Sequence, residues 1–333
     1  MKKTLLALSV AALTTFASFS AVAEYPEKDI QGIIAWGAGG STDTVMRSVT
    51  PHAEEALGVS VVMTNRTGGV GAIATKFVQA QKADGYTLLM NAENPQLYKV
   101  MGLGSMDYGD FTTVTLLARG TAVLVARNDA PYNTFKEFVE YAQANPKGVK
   151  VGSTGPGGLT SVVVAMFQAE NPMELTNIPY DGDGPALTAL QGGAIDVMPA
   201  VLGAALEHIK AGRMKVLGLV SSEPSPLLES AQPITEDYPD YAKYLPWGPF
   251  FGVFVKKGTP DDVVAKLTAA YEKGTESDDF KKLMEDRGFT IMAVHGDEAD
   301  QFLNRWQSVT SWLLQDAGAT KKSPEEFDIP KPE

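Results

Sequence analysis

Three glycine-rich loops contain the residues of this 333-residue sequence that are best suited to ligand binding. They occupy residues 37–42 (GAGGST), 67–71 (TGGVG) and 152–160 (GSTGPGGLT), and each follows a predicted strand and precedes a predicted helix. Glycine allows the backbone to approach a ligand closely, and a helix N-terminus offers free N–H groups and about half a positive charge. Any one loop could be an ordinary tight turn. The three together predict a shared site for a carboxylate or a phosphate.

The sequence does not predict that this anion belongs to a nucleotide. The pattern at residues 37–42 differs from G-x-G-x-x-G at its last position, where Thr42 stands. Asn65 and Arg66 occupy the place where a dinucleotide-binding protein needs an acidic residue, and no Walker-type loop is present. A small carboxylate therefore fits better than a cofactor, and we expect no cofactor.

Catalytic and metal-binding residue types are sparse. The sequence has no cysteine, and its three histidines, His52, His208 and His295, belong to no G-x-S-x-G or H-E-x-x-H motif. Residues 181–184 (DGDG) resemble the start of a calcium loop, but Gly192 stands where the bidentate glutamate is required, so we interpret them as a turn. We therefore predict no enzymatic activity and no metal site.

Composition and charge favour an acidic, exported protein of about two domains. The chain is 44% hydrophobic, and 28 basic against 40 acidic residues give a formal charge of -12, which disfavours nucleic-acid binding. Lys2 and Lys3 precede an apolar stretch at residues 4–20, and residues 21–23 (AVA) form an A-x-A cleavage site. A membrane anchor is the alternative, but the small residues favour cleavage before Glu24 and a periplasmic location.

Short apolar runs alternate with helical patterns, which is typical of βαβ units. The predicted architecture is α/β with two lobes: residues 24–125 and 247–333 form lobe 1, residues 126–246 form lobe 2, and residues 1–23 form the signal peptide. A strand at residues 121–127 is expected to cross between the lobes, and Pro51 is expected to kink or break the helix predicted at residues 42–57. Strands are predicted at residues 30–36, 59–64, 86–90, 149–153, 175–179, 195–198, 215–220 and 250–255. Further helices are predicted at residues 70–81, 134–144, 159–169, 201–211, 261–273, 278–287 and 299–315, with a short one that follows the turn at residues 181–184 and ends at Leu190.

Eight short motifs occur in an order that is typical of the periplasmic solute receptors of tripartite tricarboxylate transporters, the Bug or TctC-like receptors. The sequence resembles this family over essentially its whole mature length. The motifs are YPEK at residues 25–28, WGAGGSTD at 36–43, NRTGGVG at 65–71, DGYTLL at 84–89, GSTGPGG at 152–158, IPYDG at 178–182, GGAIDVM at 192–198 and HIKAG at 208–212.

The resemblance implies a two-lobed type II periplasmic-binding-protein fold, a Venus flytrap that closes over an organic carboxylate in the cleft between its lobes. It also implies delivery of that solute to integral-membrane transporter subunits by a receptor that we expect to be monomeric. An alternative of the same fold is a sensor that signals to a membrane histidine kinase. The implied binding residues are Gly39, Gly40 and Ser41 in lobe 1 and Ser153, Thr154, Gly157, Gly158 and Thr160 in lobe 2. Tyr180, as a hydroxyl donor, and Asp196, as a tether for neighbouring N–H groups, are further candidates, each with a structural role equally open.

One residue departs from the family pattern, and a group of polar residues lies where it could contact the far end of the ligand. Trp36 replaces the usual Phe and could either stack on a flat or apolar ligand or pack in the core. Asn91 and Asn94 follow the third predicted strand, together with Glu93 and Gln96, and could contact the distal end of the ligand. Glu93 would disfavour a second carboxylate if it faced the site. The sequence leaves the choice among di-, tri- and aromatic carboxylates open.

Overall fold

The computed structural model of the protein describes residues 25–332 and builds them around two β-sheets. The predicted signal peptide and its cleavage site before Glu24 lie outside the described residues. None of the helices between residues 25 and 332 combines the length and the apolar character that crossing a bilayer requires.

Strands and helices alternate along most of the described chain. The strands are β1 (Ile30–Ile34), β2 (Val61–Asn65), β3 (Thr87–Ala92), β4 (Phe111–Arg119), β5 (Ala122–Ala126), β6 (Lys150–Ser153), β7 (Thr176–Pro179), β8 (Val197–Val201), β9 (Lys215–Val220), β10 (Phe250–Lys256) and β11 (Thr290–Val294). The helices are α1 (Ser41–Leu57), α2 (Ala72–Gln79), α3 (Phe135–Ala144), α4 (Leu159–Glu170), α5 (Asp183–Gln191), α6 (Leu202–Lys210), α7 (Ile234–Asp237), α8 (Asp261–Glu276), α9 (Asp278–Arg287) and α10 (Gly296–Asp316). Short 3-10 helices occupy Asn94–Leu97, Tyr108–Asp110, Pro239–Tyr244 and Pro324–Phe327.

The first sheet has six strands in the order β11-β4-β10-β3-β1-β2 and forms the centre of lobe 1. β1 pairs in parallel with β2 and β3, whereas β10 is antiparallel to both β3 and β4. Because parallel strands end at one sheet edge, the loops after β1 and β3 open on the same side. β4 and β11 were not predicted from the sequence.

The second sheet has five strands in the order β7-β6-β8-β5-β9 and forms the centre of lobe 2. β6 is parallel to β7 and β8, and β5 is antiparallel to β8 and β9. β5 lies wholly in this sheet, so the expectation that it crosses between the lobes was wrong. The chain crosses instead just before β5, at Gly120, and returns before β10. We therefore propose that the first segment of lobe 1 ends at Gly120 and not at residue 125.

The two connections between the lobes contact each other. The Gly120 amide donates a hydrogen bond to the Pro249 carbonyl oxygen at 2.9 Å, and a Cβ atom at position 248 would lie 2.1 Å from the Gly120 carbonyl oxygen. Only glycine fits at position 248 in this arrangement. This close pair of connections is where a rotation of one lobe against the other would be centred.

Helix α1 continues through Pro51, so of the two expected outcomes, a kink or a break, the break was wrong. Pro51 is exposed and cannot donate the hydrogen bond to the carbonyl group four residues earlier. The opposite face, with Val45, Met46 and Val49, is fully buried and packs against α8. Packing of this face stabilises the helix enough to offset the missing bond.

Candidate ligand-binding site

A cavity of about 30 Å³ lies between the lobes, beyond the ends of β1, β3 and β8. Ligands of α/β proteins bind at this edge of parallel strands. Lobe 1 and the returning connection line the cavity with Trp36, Gly40, Ser41, Thr42, Ala92, Glu93, Asn94, Pro249 and Phe251. Lobe 2 contributes Thr154, Leu159, Gly182, Asp183 and Val201.

Three helix N-termini point their first turns at this cavity. α1, α4 and α5 begin after the N-cap glycines Gly40, Gly158 and Gly182, and no side chain caps any of the three. The first amides of a helix have no intrahelical acceptor, so these amides are available to an anion. A side chain at position 158 would collide with the Thr154 hydroxyl, because a Cβ atom there would lie 2.2 Å from it. The glycine pattern therefore creates the donors of the site.

Hydrogen bonds across the cleft hold the lobes in a closed arrangement. The Ser41 hydroxyl donates to the Asp183 carboxylate at 2.9 Å, and the Gly37 amide donates to the Asp181 carbonyl oxygen at 2.8 Å. Asn94 donates through its side-chain amide to the Gly157 carbonyl oxygen at 3.0 Å. Ligand pockets usually measure about 300–1,000 Å³. The cavity of about 30 Å³ is much smaller, so the cavity must enlarge when a solute binds.

Two buried carboxyl groups line the cavity, and its lining includes no Lys, Arg or His. Burial raises the pKa of Glu93 to about 8, and the nearby charge of Asp183 acts in the same direction. Burial also raises the pKa of Asp183 to about 6, against the lowering effect of the bond from Ser41. Glu93 is therefore mostly neutral at pH 7 in this conformation.

Trp36 separates the cavity from a larger groove at the mouth of the cleft. The groove measures about 570 Å³ and shares Trp36 and Thr154 with the cavity lining. The Trp36 indole N–H donates to the Asn91 side-chain oxygen at 3.0 Å, which fixes the ring. Asn91 is buried behind Trp36 and does not line the cavity, so it positions the Trp36 ring rather than contacting a ligand.

The predicted lobe 2 residues divide into one that lines the cavity and several that shape its loop. Thr154 lines the cavity, and Thr160 accepts a hydrogen bond from the Thr154 amide at 2.6 Å. Ser153 accepts one from the Gly155 amide at 3.1 Å. Gly157 faces lobe 1, where a Cβ atom would lie 2.9 Å from Met101. Ser153, Gly157, Gly158 and Thr160 are absent from the cavity lining, so their contribution is to loop shape and lobe contact.

Comparison with known proteins identifies the family. The family described as "Tripartite tricarboxylate transporter family receptor" matches residues 45–318. The chain belongs to this family. The resemblance stated from the eight motifs is thereby confirmed.

Relatives of the receptor family match nearly the whole chain. Protein BugT of Bordetella pertussis is 28% identical over 311 residues, which are 90% of this chain and 92% of BugT. The structure of periplasmic binding protein BugD has a TM-score of 0.84 at 27% identity and covers 90% of this chain and 100% of BugD. MatC from Rhodopseudomonas palustris, solved with bound malate, has a TM-score of 0.79 at 25% identity over 86% of this chain and 100% of MatC. The predicted two-lobed periplasmic-binding-protein fold is confirmed.

Three further positions that the receptor family pattern suggested, Gly39, Tyr180 and Asp196, do not line the cavity. Gly39 turns its amide towards the Asp43 carboxylate at 3.0 Å. Tyr180 lines the outer groove, together with Gly68, Gly69 and Val70 of the loop at residues 67–71. That loop meets the loop at residues 152–160 in this groove, which Thr154, Gly155 and Pro156 also line, but it does not line the cavity.

Asp196 lies far from the cavity. It precedes β8 and accepts a hydrogen bond from the Lys150 amide at 2.9 Å. Val201, at the other end of this five-residue strand, lines the cavity. At roughly 3.3 Å per residue the strand separates them by about 16 Å. Asp196 tethers an amide away from the cavity, which favours the structural role over the ligand-binding role that the sequence left equally open.

Sequence reasoning missed Asp183 and left the orientation of Glu93 open. Residues 181–184 were interpreted as a turn before a short helix that ends at Leu190, whereas Gly182 is the N-cap of α5 and Asp183 is already its first residue. An acidic residue directly after a glycine is a recognisable helix-start signal. Glu93 faces the cavity, whereas Gln96 points away from it and donates to the Leu303 carbonyl oxygen at 3.0 Å.

Proposed function

We propose that this chain is a periplasmic receptor that captures a small organic carboxylate between its lobes and delivers it to the membrane subunits of a tripartite transporter. One observation carries the proposal: three uncapped helix N-termini, from both lobes, converge on one cavity. The malate bound to MatC shows that a relative with this fold holds a carboxylate.

Backbone amides alone are sufficient for useful affinity. A hydrogen bond to a charged group contributes about 1.5–3 kcal/mol, and a helix N-terminus adds about 0.3–2 kcal/mol. Four or five such donors reach the roughly 8 kcal/mol of micromolar binding after the cost of association. The negative overall charge of the protein does not prevent this, because the amides act at short range.

Closure couples binding to delivery. Ser41 and Thr42 belong to lobe 1, whereas Leu159 and Gly182 belong to lobe 2. A solute that contacts amides of both lobes binds the closed state more tightly than the open state, and this difference shifts the population towards closure. The membrane subunits then distinguish loaded from empty receptor by the arrangement of the lobes.

The proposal extends to properties that accompany this role. The mature receptor begins at Glu24, acts as a monomer and releases its solute chemically unchanged. The solute-facing groups are amides, hydroxyls, an aromatic ring and two buried carboxyl groups. None of them forms a nucleophile–base pair with a histidine.

The test is to identify what the purified mature protein binds. Mass spectrometry of small molecules released on denaturation, followed by a thermal-shift panel of organic acids, should yield at least one carboxylate that raises the melting temperature. The same acid should be recovered intact after prolonged incubation with the protein. If no carboxylate in a broad panel binds, or if the acid is converted, the proposal is wrong.

A further inference from the structure

The cavity contains two buried oxygen atoms without a hydrogen-bond donor. They are Glu93 Oε2 and Asn94 Oδ1. Glu93 is 2% exposed and Asn94 is 1% exposed, and both line the cavity. Buried acceptors without a donor are costly, and those in native proteins call for an explanation.

The orientation of the Asn94 amide is fixed by its neighbours. Its nitrogen donates to the Gly157 carbonyl oxygen at 3.0 Å and to Glu93 Oε1 at 3.3 Å. Both neighbours are acceptors, so the nitrogen must face them and the oxygen must face elsewhere. The unpaired Asn94 oxygen is therefore an acceptor, and the unpaired Glu93 oxygen becomes a second acceptor when Glu93 loses its proton.

We propose that the solute carries a protonated amino group in addition to its carboxylate, and that Glu93 and Asn94 bind this group. This inference rests on the proposed function and names the class of solute: a short zwitterionic acid. An ammonium group has three donors and supplies what the two unpaired oxygens lack. The carboxylate of the same solute takes the amides at the helix N-termini.

Charge favours the same class. Asp183 lines the cavity with Glu93, and no cationic side chain joins them in the lining. A second carboxylate on the solute would meet Asp183 and Glu93 with no cationic side chain in the lining to pair with it, whereas an ammonium group would pair with Glu93 once that residue loses its proton. The site thus selects against dicarboxylates of the same length.

Binding of an ammonium group should release a proton. Burial raises the pKa of Glu93 to about 8, so the group is mostly protonated at pH 7, and a bound cation would lower this pKa and expel the proton. The titratable groups that face Glu93 are Asp183 from lobe 2 and Tyr98 and Tyr108 from lobe 1. Both tyrosine pKa values are raised, so the tyrosines stay neutral, and Asp183 titrates lower, near pH 6.

The test compares matched pairs of acids by isothermal titration calorimetry on ligand-depleted mature protein. The pairs are 4-aminobutyrate with succinate and L-alanine with L-lactate, each measured with wild type, Glu93→Gln and Glu174→Gln. Glu174 is an exposed lobe 2 residue, so its variant controls for the change in net charge. We expect the amino member of at least one pair to bind about 10- to 100-fold tighter than its partner, as hydrogen bonds to charged groups predict. Glu93→Gln should reduce this ratio to about threefold or less, and Glu174→Gln should preserve it.

Proton release gives a second readout that does not depend on the variant folding. Titrations of wild type in buffers of different ionisation enthalpy at pH 7 should show release of close to one proton with the amino member, and none with its partner. The inference would be overturned if both members of each pair bind equally, if succinate binds more tightly, or if none of the four probes binds. Binding of the amino member without proton release would also overturn it. The proposed function would survive these results if another carboxylate in the broad panel still binds, and would fail with the inference if none does.

Discussion

The two sides of the cavity have opposite hydrogen-bonding chemistry. One side, which we call the donor side, consists of the first turns of α1, α4 and α5, where main-chain amides face the cavity without caps. The other, the acceptor side, consists of Glu93 and Asn94, which present unpaired oxygens. The donor side suits any carboxylate, because it uses backbone atoms alone. The acceptor side depends on two side chains and can therefore decide which carboxylate is accepted.

The largest expected effect comes from keeping the two lobes apart at the donor side, where the first turn of α5 meets the start of α1. Gly184→Ala places a Cβ atom 2.6 Å from the Ala38 carbonyl oxygen and 3.1 Å from the Gly40 amide nitrogen, both in the opposite lobe. We expect solute affinity to fall by roughly 10- to 100-fold, because overpacking of this kind costs about 1–3 kcal/mol. Calorimetry measures the affinity, and small-angle scattering measures closure.

The matched control is Gly192→Ala at the other end of the same helix. A Cβ atom there would make only ordinary contacts, the nearest at 3.5 Å within α5. Both variants should keep the melting temperature of the ligand-free protein within a few degrees. Equal affinities of the two variants would show that the closed arrangement described here is not the binding state.

The acceptor side should make stability depend on pH. Native Glu93 holds its proton up to a pKa of about 8, whereas the unfolded chain releases it near the usual value for glutamate. The native state therefore binds more protons between about pH 4.5 and 8, and stability must fall as pH rises through this window. In Glu93→Gln, the free energy of unfolding lost across this pH window should be smaller by on the order of a few kcal/mol.

Thermal unfolding of ligand-free protein between pH 5 and pH 8.5 measures the effect. The melting temperature of wild type should decline more steeply than that of Glu93→Gln. Asp183→Asn should reduce the pH dependence of the melting temperature only below about pH 6, because the pKa of Asp183 is lower than that of Glu93. Parallel curves for wild type and Glu93→Gln would contradict a buried, neutral Glu93.

The donor side can be weakened through Ser41. Ser41→Ala removes the hydrogen bond across the cleft to Asp183 and leaves that carboxyl group without this donor in the closed state. We expect about 5- to 10-fold weaker solute binding, measured by calorimetry. Ser48→Ala is the control, because the Ser48 hydroxyl donates to the Val45 carbonyl oxygen within α1 and not across the cleft. A similar loss in both variants would point to damage to the helix instead of the cleft.

The smallest expected effect concerns the partition between the cavity and the outer groove. Trp36→Phe introduces the usual residue of the family, removes the bond to Asn91 and opens space towards the groove. Affinity for short acids should fall by about two- to threefold, and longer acids should gain relative to them. Trp312→Phe removes a bond to the Ile329 carbonyl oxygen far from the cleft and should leave this preference unchanged. If neither variant changes the preference for short over long acids, Trp36 does not separate the cavity from the outer groove.

Local patterns in the sequence predicted much of the fold. The helix at residues 278–287 and the strand at residues 215–220 have the predicted bounds, because caps and turn residues mark their ends. β4 was missed because Thr112, Thr113 and Thr115 interrupt its apolar pattern. β11 was missed because it is a half-buried edge strand with a positive φ of 51° at Ala293.

The donor side was predictable and the acceptor side was not, for a physical reason. A glycine-rich helix start is a local signal that can be read without knowing what lies opposite. Whether Glu93 faces the ligand, whether Asp183 reaches Ser41, and whether residues 67–71 reach the same site all depend on how two lobes meet. That information is spread over contacts between distant residues, so no short motif encodes it.

The most direct test of the central claim is a crystal structure of the mature protein with the acid identified by mass spectrometry. The account predicts a carboxylate within about 3.2 Å of main-chain amides in the first turns of α1 and of α4 or α5, with no Lys or Arg side chain on it. A carboxylate bound outside the cleft, or held in it by a cationic side chain instead of these amides, would contradict the account.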